Sequence, residues 1–586
     1  MKKCIPRVFP NLFVVATLTA VLGWSAQAQV RTTLEARHVP DAVLKGIAAR
    51  VGVVSHQQHL RLVINLPLRN QPELAKLLHD LYDPRSPRFH KYLSVAEFTR
   101  RFEPTRSDYG AVLSWAAASG FKVLDTPPDR RLIAVDGSVD TINRALHVTM
   151  TNYRHPTEQR VFYSPDREPT VVGLGVSILQ ITGLNDYRLP RIMARQGSPA
   201  VANAAGSGPS GDYLPSDMRA AYYGNGPLTG AGQSIGIFSL DGYLASDVQL
   251  YYSSTGMSSN VPITNRLVSG FSGACTKVTK PTSSTCDDAE QVLDIVNAIG
   301  MAPGITQVLF YEGPVGSDPE ILNLMATDDV AKVLSSSWSW DPADQSSDDP
   351  IFERFAAQGQ SYLNASGDCG SYLGDCSAGV PAYMFPGVDQ QITEVGGTSL
   401  TTTGPGGTWV AESGWDQSGG GYISGTTITS WQQLAGVVNT LNGASSTLRN
   451  SPDVAAEGDF DNCVVDNGVF KTGWGGTSFA TPRWAGFLAL VNQQSVANGK
   501  GTVGFINPAL YKLGVSTMYS VAFHDVTSGS NPPLYGEGNG FYAVEGYDLV
   551  TGWGSPNGTG LINQLAGPSK SAGVLVPILD LLLQKQ

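Results

Sequence analysis

Histidine is almost missing from the part of this chain that carries its best catalytic motif. The 586 residues include eight histidines, and all but His524 lie at or before His155. A serine nucleophile needs a base, and histidine is the usual one. Here carboxylates are the better candidates, and a carboxylate base fixes an acidic working pH. Charge is also sparse. Only 15% of residues are charged, which argues against a coiled coil or a disordered tail. The net charge of −11 argues against nucleic acid as a partner. Cys-x-x-Cys and His-rich spacings are both missing, so the six cysteines point to disulfides rather than zinc.

The first residues carry the parts of an export signal. Lys2, Lys3 and Arg7 precede a short apolar stretch from Leu12 to Leu22, and Ala26-Gln27-Ala28 offers a small-residue cleavage site. The stretch is too short to span a bilayer. Residues 1–28 are therefore expected to be removed, and the protein is expected outside the cell or in a periplasm, without stable membrane association. Cys4 leaves with that segment. Cys275–Cys286 and Cys369–Cys376 are the economical pairs, leaving Cys463 free. The apolar end, 568–586, is expected to be a docking segment or a frayed tail, with an interfacial anchor as the alternative.

Charge divides along the chain. Gln29 to Arg195 holds 23 Lys+Arg against 16 Asp+Glu, whereas Gln196 onward holds 13 against 34. A basic unit followed by an acidic one suggests electrostatic docking. Gly197 to Gly211, rich in Ala, Gly and Ser, predicts a cleavable linker. The expected organisation is a first domain over 29–195, a linker over 196–212, a second domain over 213–567 and the tail. In the first domain the patterns predict helices over 73–81 and 95–102, the latter with a Ser94/Glu97 capping box, and strands over 132–135 and 147–150. That is an α+β pattern. Strand-like runs at 234–238, 306–311 and 333–337 alternate with a helix over 289–299, which implies a parallel sheet covered on both faces.

Four motifs carry chemistry. Gly475-Gly476-Thr477-Ser478 with Pro482 places Ser478 at a helix start, beside N–H groups suited to an oxyanion. A plain N-cap serine is the alternative. Glu290 and Asp294, four apart, share one helix face among apolar neighbours, so they titrate as a unit with one raised pKa unless the face is simply solvated. Asp368, between Gly367 and Cys369-Gly370, can donate to an oxyanion when protonated, or merely close an Asx-turn. Asp525-Val526, a glycine-rich stretch and Gly546-Tyr547-Asp548 offer two carboxylates and backbone carbonyls to Ca²⁺, or a set of turns.

Together these motifs resemble the sedolisin (serine-carboxyl peptidase) family. Gly476 to Pro482 with Ala485-Gly486 is similar to its nucleophile motif, Glu290-x-x-x-Asp294 to its acid pair, and Ser366-Gly367-Asp368-x-Gly370 to its oxyanion Asp. The stretch from Leu77 to Phe102, with His90-Lys91-Tyr92-Leu93, resembles its pro-kumamolisin-type activation propeptide. The resemblance implies an α/β fold with a subtilisin-like parallel sheet flanked by helices, preceded by an α+β ferredoxin-like prodomain. It implies one structural Ca²⁺ held by Asp525, Val526, Val544, Gly546 and Asp548, with Val544 where the family often has glycine. It implies a monomer, polypeptide substrates and the prodomain as intramolecular inhibitor. Some members carry a further Glu where this chain has Ser239, with Trp338 resembling the Trp that joins that network.

The expected enzyme is a secreted, acid-acting endopeptidase made as a self-processing zymogen. Ser478 attacks, Glu290 is general base, Asp294 orients it, and protonated Asp368 with the Ser478 N–H holds the oxyanion. Activity is expected below about pH 6, because Asp368 must stay protonated. Two alternatives stand beside it. One is a hydrolase with His524 as base. The other is a non-catalytic Ca²⁺-stabilised binding protein.

Overall fold

A computed structural model describes Met1 and residues 31–192, 194–198, 206–275, 287–340, 348–377, 380–381, 385–387 and 389–569. Residues 2–30, residues 199–205 of the expected linker, Cys286 and the apolar tail from residue 570 lie outside the described residues.

Alternating apolar residues at Leu62 and Ile64, and at Ile133 and Val135, suit strands buried on one face. They form β1 (His59–Asn65) and, beyond helices α1 (Gln71–Tyr82), α2 (Val95–Arg101) and α3 (Arg106–Ala118) and strand β2 (Lys122–Asp125), β3 (Leu132–Ser138). Helix α4 (Val139–Leu146) and β4 (Gln180–Thr182) complete an antiparallel sheet of order β2-β3-β1-β4. Helices α3 and α4 cover it through Val112, Ala116, Ile142 and Leu146, as the ferredoxin-like expectation requires. Ser94 accepts from the Glu97 N–H at 3.3 Å, the expected cap. The strand expected at 147–150 instead begins at Met150. His147 closes α4 with a left-handed φ of 55°, which no strand residue can hold. Two short strands follow, β5 (Arg191–Ile192) and β6 (Arg195–Gln196).

The second unit is built on parallel strands whose β-branched and aromatic runs are buried on both faces. In chain order its elements are β7 (Ser234–Ser239), β8 (Ile263–Leu267), α5 (Ala289–Met301), β9 (Gln307–Glu312), α6 (Asp318–Asp328), β10 (Val333–Ser336), β11 (Trp338–Ser339), α7 (Asp349–Gln358), β12 (Ser361–Ala365), β13 (Ile392–Thr402), β14 (Trp409–Gly414), β15 (Val454–Glu457), β16 (Val469–Gly475) and α8 (Thr477–Ala497). Sheet order is β8-β9-β7-β10-β12-β13, with β15 parallel and β14 antiparallel to β13. Helices α5 and α8 pack on one face through Val292, Ile295, Trp484 and Leu488. Helices α6 and α7 cover the other through Ile321, Met325, Phe352 and Phe355. Among the described residues no helix is long and apolar enough to cross a membrane. Cys369 and Cys376 are bonded, Cys275 is disulfide-bonded, and Cys463 is free and buried.

The two units dock through a dry patch and a ring of charge. Leu74, Leu77, Leu81, Phe98 and Phe102 bury against Ala357 of α7. Each such side chain contributes about 1.5–3 kcal/mol. Tyr82 Oη donates to the Ala356 carbonyl and Tyr92 Oη to the Val503 carbonyl, both at 2.7 Å. Gly359 makes room for the Tyr92 ring, because a Cβ there would stand 2.3 Å from it. Arg61 forks onto Glu320 at 2.9 and 2.6 Å. Buried Arg354 of the second unit pairs with Asp129 and, at 3.3 Å, with Glu103 of the first.

Candidate active site

Ser478 is the second residue of α8, after Gly476 as cap and Thr477 as first residue. Gly476 has φ 154° and ψ 151°, and a Cβ there would lie 2.7 Å from Asp368 Oδ2 and 3.0 Å from the Ala194 Cα. Only glycine leaves that space open. Pro482 lies in the second turn of α8, one turn beyond the expected place. Having no N–H, it leaves the Ser478 carbonyl without a helical donor. The Ser337 hydroxyl lies 3.4 Å from that carbonyl.

Glu290 and Asp294 are not a solvated face. They are 0% and 1% exposed on a helix whose residues are all buried. Ser337 Oγ donates to Asp294 Oδ1 at 2.7 Å, so the end of β10 fixes that carboxyl. Burial and then the neighbouring Asp294 charge push the Glu290 carboxyl well above its ordinary range. The Ser478 hydroxyl and the Ala194 N–H act in the opposite sense, though neither closes to full hydrogen-bond contact. Burial likewise raises Asp294, offset by Ser337. The pair therefore favours holding a proton.

Asp368 is also fully buried. Its Oδ1 accepts from the Thr477 N–H at 2.8 Å and Thr477 Oγ1 at 2.9 Å. Its Oδ2 has no partner and faces the gap beside Gly476. Burial raises this carboxyl, while the Thr477 bonds and the Arg195 charge lower it. The arrangement leaves one oxygen free to carry a proton toward an oxyanion next to Ser478.

The cleft is filled by the chain itself. Arg191 and Ile192 pair antiparallel with Ser339 and Trp338. Arg195 and Gln196 pair antiparallel with Gly475 and Trp474, the strand that leads into Ser478. The Gly197 N–H continues the ladder to the Gly473 carbonyl at 2.9 Å. Sequence reading missed this strand because nothing in Arg191 to Gly197 marks a cleft ligand. It also missed Ser337 and Thr477, which hold the two acids. Ser337 ends a run of three serines, and only strand parity decides which of them faces α5.

Ser239 sits where a further Glu was considered, and its hydroxyl donates to the Asp241 carbonyl at 2.7 Å. Glu312 pairs with Ser239 in register on the next strand and is fully buried. Trp338 is 2% exposed and its Nε1 has no partner. His524 stacks on Trp409 with ring centroids 4.0 Å apart, and burial lowers it to about 4.

The expected calcium residues share one loop cluster. Asp525 accepts from Tyr519 Oη at 2.8 Å and from the Gly546 N–H at 3.2 Å. Asp548 accepts from the Val550 and Thr551 N–H groups at 2.8 Å and from the Val544 N–H at 3.1 Å. Val526 is 1% exposed, behind Asp525. Burial raises both carboxyls, and no lysine or arginine bridges to either among the described residues. Among those residues no three His, Cys, Asp or Glu side chains converge as a metal site. Asp525 and Asp548 supply carboxylate oxygens, the hard donors that Ca²⁺ takes, with the backbone of Val544 and Gly546 held against them.

Fold and site together fit a peptidase: an α/β unit on a parallel sheet, with a serine at a helix start and buried carboxylates beside it. Residues 47–187 match the family model "Pro-kumamolisin, activation domain". The chain is 28% identical to sedolisin of a Pseudomonas species, the match covering 84% of this chain and 85% of that protein. It is 28% identical to kumamolisin of a Bacillus species, covering 91% and 95%. It is 27% identical to xanthomonalisin of a Xanthomonas species, covering 87% of this chain and 66% of that protein. The solved structure of Pseudomonas sedolisin, a serine-carboxyl proteinase, superposes with a TM-score of 0.50 at 26% identity, over 61% of this chain and 99% of that one. Over most of its length the chain is similar to serine-type peptidases, sedolisin and kumamolisin among them, and residues 47–187 match a pro-kumamolisin activation domain.

Proposed function

We propose that this is a secreted endopeptidase that works in acid and is made as a self-processing zymogen. The carrying observation is that Glu290 lies beside both the Ser478 hydroxyl and the N–H of Ala194, on a strand hydrogen-bonded across the cleft. In this reading Ser478 Oγ attacks the carbonyl of residue 193. Its proton passes to Glu290, which delivers it to the Ala194 nitrogen as the peptide bond breaks. Asp294, held by Ser337, orients Glu290. The protonated Oδ2 of Asp368 and the Ser478 N–H receive the oxyanion. Water then attacks the acyl-enzyme, and Glu290 takes the water proton and returns one to Ser478.

The self-cut then falls between residues 193 and 194, upstream of the linker expected over 196–212. Residues 1–28 would be exported and removed, 29–193 would act as the inhibitor, and the remainder through 567 would be the peptidase, a monomer. Asp525 and Asp548, with the carbonyls of Val526, Val544 and Gly546, would hold one structural Ca²⁺ that ties the loops together and takes no part in the chemistry.

The test holds precursor at pH 4 and pH 7.5, beside a Ser478→Ala variant, and follows intact mass and peptide release from a denatured protein. Processing and cleavage only by the unmodified chain, only in acid, with Ala194 as the new N-terminus, supports the reading. Equal processing by Ser478→Ala removes the nucleophile assignment.

A further inference from the structure

The strand in the cleft seats Ala194 in a closed apolar recess. Ala194 is 7% exposed and packs with Ala289, Leu293, Val464, Trp474 and Phe479. Those walls belong to the catalytic elements. Ala289 and Leu293 flank Glu290 and Asp294 on α5, Trp474 lies on β16, and Phe479 follows Ser478. Arg195 stands opposite Gly475 and Gln196 opposite Trp474. Side chains alternate along a strand, so Ala194 and Gln196 share the face that carries Trp474. Arg195 turns the other way, toward Gln417 and the Phe460 ring. Gly476 approaches the backbone closely here, since a Cβ on it would stand 3.0 Å from the Ala194 Cα.

We propose that this recess is the binding subsite for the residue just after the scissile bond, and that it selects small side chains there, of the size of alanine or glycine, in any polypeptide substrate. The proposal rests on the reading that Ser478 cleaves before residue 194. Every wall residue is buried at 8% exposure or less, and two of the walls flank catalytic groups on their own elements. A leucine or phenylalanine in this position must displace Trp474 or Phe479. Overpacking a dense recess lowers kcat/KM by roughly tenfold to a hundredfold.

The test is a set of peptides, identical but for that one residue, offered to the self-processed enzyme at pH 4 with kcat/KM measured for each. Alanine and glycine peptides cut at least tenfold better than leucine and phenylalanine peptides, with a smaller ratio in Trp474→Leu, are the expected result. Equal cutting of all four by the unmodified enzyme overturns the subsite, as does a ratio unmoved by Trp474→Leu. A second measurement uses the precursor. Ala194→Phe should slow its self-processing in acid by a similar factor while leaving the cut site unchanged. If the mature N-terminus proves to lie elsewhere than Ala194, the underlying reading fails and the subsite falls with it. Failure of the peptide ratio alone, with Ala194 as N-terminus, defeats only the subsite.

Discussion

His90 gives the docking of the two units a pH dependence whose size follows from its surroundings. It lies in the prodomain motif His90-Lys91-Tyr92, with its ring 3.8 Å from that of Phe89 and 5.6 Å from that of Tyr92. Tyr82 stands edge-on to it, Lys512 of the peptidase unit lines the same groove, and the Lys500 charge acts on the ring. Burial first, and the Lys500 charge second, lower His90 from 6.5 to about 4. A group lowered by docking stabilises the docked state above its free value, and this contribution is lost as pH falls from 6.5 toward 4. The full shift corresponds to about 3 kcal/mol at 1.36 kcal/mol per unit. Discounting for partial exposure leaves about 2 kcal/mol, or roughly thirtyfold in the opening equilibrium. The perturbation is His90→Asn, chosen because position 90 has φ 52°, which asparagine tolerates. The assay is hydrogen exchange of residues 81–102 in a Ser478→Ala precursor, corrected for intrinsic rates, from pH 7 to pH 4. The unmodified interface should open roughly thirtyfold more readily across that range through this group. The variant should lose that component and keep whatever the carboxylates supply. An identical pH dependence in His90→Asn would refute the argument.

Other outcomes follow from the same structure. Asp368→Asn keeps a hydrogen-bond donor at every pH, so the loss of activity toward neutrality should move upward while kcat drops; an unmoved alkaline limb in a kcat/KM profile would count against Asp368 as the protonated donor. Glu394, fully buried, is raised by burial from 4.5 to about 7. Its stabilising contribution is complete below the unfolded value and is lost as pH rises through about 7, about 3 kcal/mol in all. Urea denaturation of Glu394→Gln should accordingly show a flatter decline between pH 5 and 8, both pH values being approximate bounds from the same linkage. Phe98→Ala should loosen the prodomain by about 3–5 kcal/mol, seen as premature susceptibility to an added protease at neutral pH. Removing calcium with a chelator should lower the unfolding temperature of the unmodified enzyme and leave Asp525→Ala unmoved; equal shifts in both would place the ion elsewhere.

Much of the site was legible because its chemistry depends on local spacing. Glu290 and Asp294 come from one helix, so a four-residue interval placed them on one face. Ser478 comes from a glycine turn into a helix, a pattern that survives without tertiary information. What the sequence did not disclose is long-range. Thr477 holds Asp368 across 109 positions, and Ser337 holds Asp294 across 43. The course of Arg191 to Gly197 through the cleft depends on pairing with β11 and β16, which no local pattern specifies. The position of Pro482 shows the limit even inside a motif. Proline was read as a mark of the first turn, yet it stands in the second, where it leaves the Ser478 carbonyl without a helical donor.

The scarcity of histidine and the proposed acid preference would have one physical origin. A histidine base would be neutral and ready near pH 7, where Asp368 is expected to be charged and to repel an oxyanion. A carboxylate base is ready only in a window where it can lose its proton while a second carboxyl keeps one. Both groups are acids of similar intrinsic strength, so environment must separate them. The Thr477 bonds and the Arg195 charge pull Asp368 down in the precursor. Burial, the largest influence on both Asp368 and Glu290, acts the other way and raises them. In the proposed mechanism, departure of the cleft strand takes away the lowering contributions of Arg195 and the Ala194 N–H but also admits water, which relieves burial and favours the charged forms. The acid range expected of the freed enzyme is therefore set by the balance of these two opposed changes.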